Sequence, residues 1–339
     1  MNLYQWKEQI KNFNGSFKGC PELHRQWNKN TRKNMPRFKK ENSIWNLEWK
    51  YYGSDEKAMV LIGASPCLAV DVEKLKQLDK NFCIICANSS LKFLLRHEIK
   101  PDYVICLDSD DIDIPQHLDI DRDDITLLAS TALCGKALDN WRGPIFFMPY
   151  YSVNKELRIK IKNKLGKAIK GGGNSITQAL FVVSVIFGSK TVIFVANEYC
   201  FDKRKNYYAD KTAAKQEQMK ILCSTTDIMG REKWTLPALY NYVIWTEKIC
   251  TDLSPPGFFI DTSFGLLGKD CQAIHVMELS EAIKKVKDAF ANRDILNAAK
   301  TDSERFEIIG RIKPKDEHSE VYRYNLSEHR ERMLQLARS

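Results

Sequence analysis

An α/β fold is expected, with a Rossmann-like, mostly parallel sheet, helices on both faces, and helical appendages at the amino and carboxyl ends. Three observations lead there. From about residue 57, apolar runs of five or six residues alternate with helix-length segments, as parallel strands and their crossover helices require. These runs are continuously apolar, as strands covered on both faces must be. The 339 residues, 44% hydrophobic and 28% charged, suffice for a large core, and no run nears the roughly 20 apolar residues that span a bilayer.

The expected strands are Ala58–Gly63, Phe82–Ala87, Tyr103–Leu107, Ile125–Ala129, Ile145–Met148 and Thr191–Ala196. Helices are expected at Val72–Leu78, Ser89–His97, Asn174–Phe187, Pro237–Leu253 and Ser280–Phe290, with a last one at Leu326–Leu336. Tyr240, Ile244 and Ile249 mark the apolar stripe of the Pro237 helix. The chain divides into an arm at 1–56, a nucleotide-binding α/β domain at 57–295 and a charged appendage at 296–339.

Residues 1–50 carry eleven Lys and Arg against four acidic residues, much of the chain's net charge of +9. Such a surplus suits an anionic surface, an acidic ligand or nucleic acid. Trp27, Phe38, Trp45 and Trp49 are interleaved with it, but no nucleic-acid motif accompanies them. The favoured reading is a helical arm that packs its tryptophans on the main domain, and nucleic acid is not the expected partner. The first residues lack the basic and apolar regions of a secretory signal, so a cytoplasmic location is expected, with no transmembrane segment.

Seven of the ten cysteines (Cys67, Cys83, Cys86, Cys106, Cys134, Cys200 and Cys223) lie in or beside apolar runs, where a reduced thiol behaves as a small hydrophobe. Cys83 and Cys86 form a C-x-x-C within a strand. Their side chains should point to opposite faces, so neither redox nor zinc chemistry is expected.

In an open parallel sheet, ligands collect beyond the carboxyl ends of the strands. Four segments fall there. Gly63-Ala64-Ser65-Pro66-Cys67-Leu68 follows the first strand. Gly63 permits a sharp turn whose amides can face a phosphate, though a plain β–α turn reads equally well. Ala87-Asn88-Ser89-Ser90 follows the second. Asn88 can read a base or sugar, or Asn88 or Ser89 can cap the next helix. Asp108, Asp110, Asp111 and Asp113 place four carboxylates within six residues after the third strand, either a Mg²⁺ site or an acidic loop. Asp102 precedes that strand and belongs at the opposite edge, as a structural residue. Gly171-Gly172-Gly173-Asn174-Ser175 opens a long apolar helix. Consecutive glycines there imply positive φ or close backbone approach, with helix-start amides facing an anion.

Absences narrow the chemistry. There is no G-x-x-x-x-G-K-[ST], no G-x-S-x-G and no H-E-x-x-H. The six histidines are scattered. His117 follows the acidic loop, and His275 reads as an ordinary strand position.

In this order the segments resemble the MptE-like domain shared by archaeal 6-hydroxymethylpterin diphosphokinases and the motility-associated-factor (Maf) proteins implicated in flagellin glycosylation. The resemblance rests on Val60–Leu68, Ala87–Leu91, Ile99–Tyr103 with Asp108, Gly171–Ser175 and its helix, and Phe187–Val195. Gly230–Thr235 with Tyr242, Trp245 and Glu247 is similar to the bacterial Maf-like members. It covers about residues 57–285. Two segments depart from the pattern. Ser65 and Cys67 stand in a turn that is usually Gly-x-Gly-Pro-Ser-Leu, and Ala196-Asn197-Glu198 replaces the usual Gly-x-Asp.

The resemblance implies a transferase that binds a nucleotide-activated donor. Glycosyl transfer from a nucleotide sugar to an unidentified acceptor is the leading expectation. Gly63, Ser65, Asn88, Ser89, Gly171, Gly172, Gly173, Asn174 and Ser175 would then hold nucleotide or phosphate. The catalytic candidates are Asp108 and Glu198, and the general base stays open between them. The alternative is Mg-ATP-dependent diphosphoryl transfer to a hydroxymethylpterin-like substrate, with Asp108 and Asp110 on Mg²⁺. A third reading is a non-catalytic binding or assembly protein.

Overall fold

A computed structural model of the chain describes residues 21–47, 57–111, 113–169, 172–202, 206–209, 222–254 and 257–298. The chain opens with helix α1 (Pro21–Asn34) and three short 3₁₀ turns that end at Leu47. Then follow β1 (Ala58–Ile62), α2 (Leu68–Asp71), β2 (Phe82–Ala87), α3 (Asn88–Arg96), β3 (Tyr103–Cys106) and α4 (Asp113–Leu118). Next come β4 (Thr126–Ser130), α5 (Gly135–Asn140), β5 (Ile145–Met148), α6 (Lys155–Leu165), α7 (Ser175–Phe181) and β6 (Thr191–Val195). The last elements are β7 (Cys223–Thr226), β8 (Glu232–Thr235), α8 (Pro237–Leu253), β9 (Phe258–Asp261), β10 (Ile274–Val276) and α9 (Leu279–Ala298).

Eight strands form one sheet in the order β10-β9-β6-β1-β2-β3-β4-β5, and every neighbouring pair is parallel. The chain builds outward from β1 to β5 and then returns to lay β6 on the other side of β1. The strand order therefore reverses between β1 and β6, the place where open α/β sheets bind ligands. β7 and β8 form a separate antiparallel ribbon.

Alternation along the strands explains why both faces are apolar. Val60, Ile62 and Cys86 join one core with Leu91 and Leu94 of α3 and Ile283 and Val286 of α9. Met59, Leu61 and Cys83 join the other with Ala179 and Leu180 of α7 and Val243 of α8. Cys83 and Cys86 thus lie on opposite faces, as their spacing requires. The nine described cysteines are free thiols, seven of them buried.

The six expected strands are present, each within one residue of its expected ends. His275 lies in β10, and Asp102 sits at the far edge, where its Oδ2 accepts from the Ile84 amide at 2.8 Å. The expected helix at Val72–Leu78 needs correction: it is α2, one turn earlier, followed by a 3₁₀ turn at Lys74–Gln77. Leu68, Val72 and Leu75 form its buried stripe, and the Leu68 amide already donates to Ser65 O at 3.0 Å. The expected Asn174–Phe187 helix is α at Ser175–Phe181 and becomes a π turn over Val182–Ile186, where four β-branched residues crowd one another. The expected Leu326–Leu336 helix, Trp49 and most of the 296–339 appendage lie outside the described residues.

The arm is docked. Asn30, Thr31 and Asn34 of α1 are all under 4% exposed. Asn30 Nδ2 donates to Ser109 O (3.2 Å) and Ala132 O (3.1 Å). Asn34 Nδ2 donates to Thr131 O (3.1 Å) and Leu133 O (2.8 Å). Asn28 Oδ1 accepts from the Tyr150 hydroxyl and from Ser152 Oγ. Helix α1 is thus bonded to the loops after β3, β4 and β5. The Trp27 ring meets Tyr150 edge to face at 5.8 Å, and Trp45 Nε1 donates to Lys167 O at 2.9 Å.

Asn34→Ala leaves two buried carbonyls without their donor and should destabilise the protein by about 2–3 kcal/mol. Lys33→Ala, exposed on the same helix, should stay within about 0.5 kcal/mol of the parent. Urea denaturation of the two variants measures both.

Candidate functional site

One cleft of about 1640 Å³ runs along the carboxyl ends of the strands from β6 to β5. It is lined by Gly63, Ser65, Asn88, Ser89, Asp108, Asp110, Gly173, Asn174 and Ser175 among others. Most of the residues expected at a site therefore share one cavity. Gly171 lies outside the described residues, and Gly172 and Glu198 do not line the cleft.

At the β1–α2 turn, a Cβ on Gly63 would lie 2.3 Å from Ala196 O, so only glycine fits there. The Gly63 amide donates to Val195 O (2.9 Å) and the Ser65 amide to Ala196 O (3.2 Å). The Cys67 amide donates to Glu198 Oε2 (3.2 Å), and Pro66 has no amide hydrogen. These donors are engaged within the protein. Three amides of the turn thus serve a clamp between β1 and β6.

Glu198 belongs to that clamp. It is buried, its Oε1 pairs with Lys233 Nζ at 3.1 Å, and its amide donates to Ser65 Oγ at 3.2 Å. Ser65 and Glu198, both departures from the family pattern, therefore bond to each other. Ala196, where that pattern has glycine, sits at φ 56°.

The glycine turn before α7 is explained residue by residue. A Cβ on Gly172 would lie 2.5 Å from the Trp245 ring, and Gly173 has φ 102°. Asn174 caps the helix: its Oδ1 accepts from the Thr177 amide at 2.8 Å, and its own amide donates to Thr177 Oγ1 at 3.1 Å. The amides of Ser175 and Ile176 remain in the first turn without an intrahelical acceptor, beside the cleft. Helix α3, which begins at Asn88, has no side-chain cap.

Asn88 is 6% exposed, and Gln178 on α7 is 8% exposed. Both line the cleft, and neither side chain has a hydrogen-bond partner among the described residues. Asn88 therefore does not cap α3. Gln178 was not expected, although a lone glutamine in the apolar run Ile176–Phe187 was the available signal. Lys92 and Arg96, four residues apart on α3, also face the cleft.

The Asp108 side chain opens onto the cleft from the loop after β3. Its surroundings lift its carboxyl above the ordinary range, first by desolvation and then by the Asp110 charge, with His117 pulling the other way. Across the cleft, burial and the Asp108 charge hold the Tyr242 phenol above its usual pKa. Among the described residues, no group of three or more His, Cys, Asp or Glu is placed to hold a metal ion. Asp108 and Asp110 therefore offer at most two carboxylates to an ion that arrives on phosphates, the usual way Mg²⁺ is held. Trp27, Tyr150, Tyr151, Tyr207 and Tyr208 complete the walls. Of these only Trp27 is marked in the sequence, as a residue that packs on the main domain, because the contribution of the tyrosines depends on where the loops fold back.

Fold and cleft together define a parallel α/β protein whose polar groups converge at the strands' carboxyl edge. Residues 29–204 match the family described as 6-hydroxymethylpterin diphosphokinase MptE-like. The chain belongs to that family. The match begins inside the arm, which corrects the expectation that the family's likeness starts near residue 57. Among solved structures, the chain resembles a Maf glycosyltransferase from Magnetospirillum magneticum AMB-1, with a TM-score of 0.58 at 13% identity. The likeness covers 94% of this chain and 54% of that one, so the chain spans about half the length of the solved relative. No curated protein matches the sequence.

Two measurements test this description. Asp261, fully buried at the end of β9, has its carboxyl pushed up to about 8, mainly by desolvation. Because the folded state then binds a proton that the unfolded chain releases, stability should fall as pH rises from the ordinary 3.8 to about 8. Asp261→Asn should lose that slope in thermal melts. Ala196→Gly relieves a positive φ and should raise stability by about 1 kcal/mol in urea denaturation.

Proposed function

We propose that the chain is a transferase whose cleft, between the domain at 57–295 and helix α1 of the arm, binds a nucleotide-activated donor, and that it transfers a glycosyl group from a nucleotide sugar. The observation that carries this reading is the convergence in one cavity of the first turns of α3 and α7, two buried amide side chains without partners among the described residues, and the Asp108 carboxyl. The first turns of α3 and α7 present backbone N–H groups and positive dipole ends to an anion. Asn88 and Gln178 offer donors and acceptors to a base or sugar. A cleft of about 1640 Å³ exceeds the roughly 300–1,000 Å³ of a single small-molecule site, leaving room for donor and acceptor together.

In this reading Asp108 is the general base, because a raised carboxyl pKa brings a base closer to neutrality. It takes the proton of an acceptor hydroxyl as that oxygen bonds to the anomeric carbon. The bond from that carbon to the donor phosphate breaks, and the nucleotide leaves with the electron pair. The helix-start amides, with Lys92 and Arg96, stabilise the developing phosphate charge. Glu198 serves as a strut, since both its oxygens are held within the β1–β6 clamp.

A second reading, diphosphoryl transfer from Mg-ATP to a hydroxymethylpterin-like substrate, is favoured by the family's description and by the pairing of Asp108 with Asp110. There the two carboxylates would hold Mg²⁺, which would neutralise charge on the ATP phosphates.

A thermal-shift panel of CMP, UDP, GDP and ATP, each with and without Mg²⁺, tests donor binding. A saturating nucleotide at about 100 times its Kd should stabilise the fold by about 2.7 kcal/mol, and Asn88→Ala should remove most of that gain. Asp108→Asn should lower turnover on the order of a hundredfold or more while leaving nucleotide binding in place. Release of a nucleoside phosphate that EDTA does not affect supports glycosyl transfer, whereas Mg²⁺-dependent AMP release supports the second reading. A chain stabilised by no nucleotide refutes both.

A further inference from the structure

We propose that the face formed by α1, the 3₁₀ turns and α6 is a docking surface for a phospholipid bilayer that carries anionic headgroups. The inference does not rest on the transferase reading. Segments 23–47 and 151–169 contain thirteen Lys and Arg against two acidic residues, a surplus of eleven. The whole chain carries +9, so everything outside these two segments sums to −2. The net positive charge of the chain is therefore contributed by these two segments.

The two segments are continuous in space. Lys164 Nζ donates to Phe38 O at 3.4 Å, Ser43 Oγ donates to Leu165 O at 2.5 Å, and Arg32 and Met35 share a shallow pocket with Glu156 and Lys160. Few of the charges are neutralised locally. Among the described residues, only Arg37, Lys39 and Lys160 of these cations have a carboxylate partner.

Charge alone would suit any polyanion, and the apolar residues decide the class. Three of the six large apolar side chains exposed among the described residues lie here: Tyr151 (59%), Val153 (53%) and Ile159 (49%). On α6, Leu157, Ile161 and Leu165 face the core. Ile159 therefore points outward, flanked by Lys155 and Lys162, both exposed. The Arg158 guanidinium lies 4.8 Å over the Tyr151 ring. Aliphatic side chains gain nothing from a phosphate backbone. They do gain from the boundary between headgroups and acyl chains, where basic residues meet anionic lipid and aromatic rings settle. Among the described residues no helix is long and apolar enough to cross a membrane, so the contact is peripheral. Tyr151 and Val153 also line the cleft, so its mouth would open beside the lipid.

The test uses the full chain in co-sedimentation with vesicles of phosphatidylcholine alone or with about one-third phosphatidylglycerol, at roughly 0.1 M and 0.5 M salt. Binding is expected only to the anionic vesicles and should weaken at least about tenfold at the higher salt. The double variant Lys155→Glu/Lys162→Glu should weaken it on the order of tenfold or more, and Ile159→Ser should weaken it severalfold with charge unchanged. Unchanged melting temperatures establish that these exposed substitutions leave the fold intact. A duplex oligonucleotide is assayed in parallel. Equal binding to neutral vesicles, anionic binding that the variants do not alter, or no vesicle binding, whether or not the duplex binds, would overturn the proposal.

Discussion

The contact between the turn after β1 and the loop after β6 is the constraint on which the rest of the structure depends. These strands lie side by side where the chain reverses direction, so their loops must diverge or be fastened. Here they are fastened. Gly63 gives the space, Ala196 takes a left-handed backbone, and Ser65, Cys67, Glu198 and Lys233 complete a buried polar seam. A buried carboxylate is tolerable only because its hydrogen bonds and its ion pair are both present. The seam fastens the two loops at the reversal point, where Gly63, Ser65 and Ala196 border the cleft, and α3, α7 and the loop after β3 supply more of its lining.

This arrangement also brings together the two segments that depart from the family pattern. Taken one at a time, serine for glycine in the first turn and alanine for glycine after β6 each remove backbone freedom. Taken together, the Ser65 hydroxyl accepts the Glu198 amide, and the altered loops meet through a hydrogen bond. The donor is a backbone amide, so this bond depends on the serine at position 65.

The sheet was legible because parallel strands buried on both faces leave long apolar runs, and all six that were marked are strands. β9 was missed although it is as long as β3 and β5 and the Pro-Pro-Gly before Phe258 bounds it, and β10 was marked only at His275, because Ile274–Val276 is too short to show a period. Of the candidate site, the glycine turn, Asn88 and Asp108 could be read locally, because their positions follow from strand ends. The engagement of the Gly63–Cys67 amides, the strut role of Glu198 and the inward aim of Gln178 depend on contacts between segments more than a hundred residues apart. The docking of α1 by asparagines was also hidden, since Asn28, Asn30 and Asn34 look like the surface of a basic helix until the carbonyls that they meet are known.

That docking bears on how the protein can be divided. Family likeness begins at residue 29, within α1, so a fragment trimmed to that border would start partway along the helix and lack His24, Trp27 and Asn28. It would keep every strand of the sheet and still lose one side of the cavity. For this chain, the boundary of the inherited fold and the boundary of the working unit are different residues.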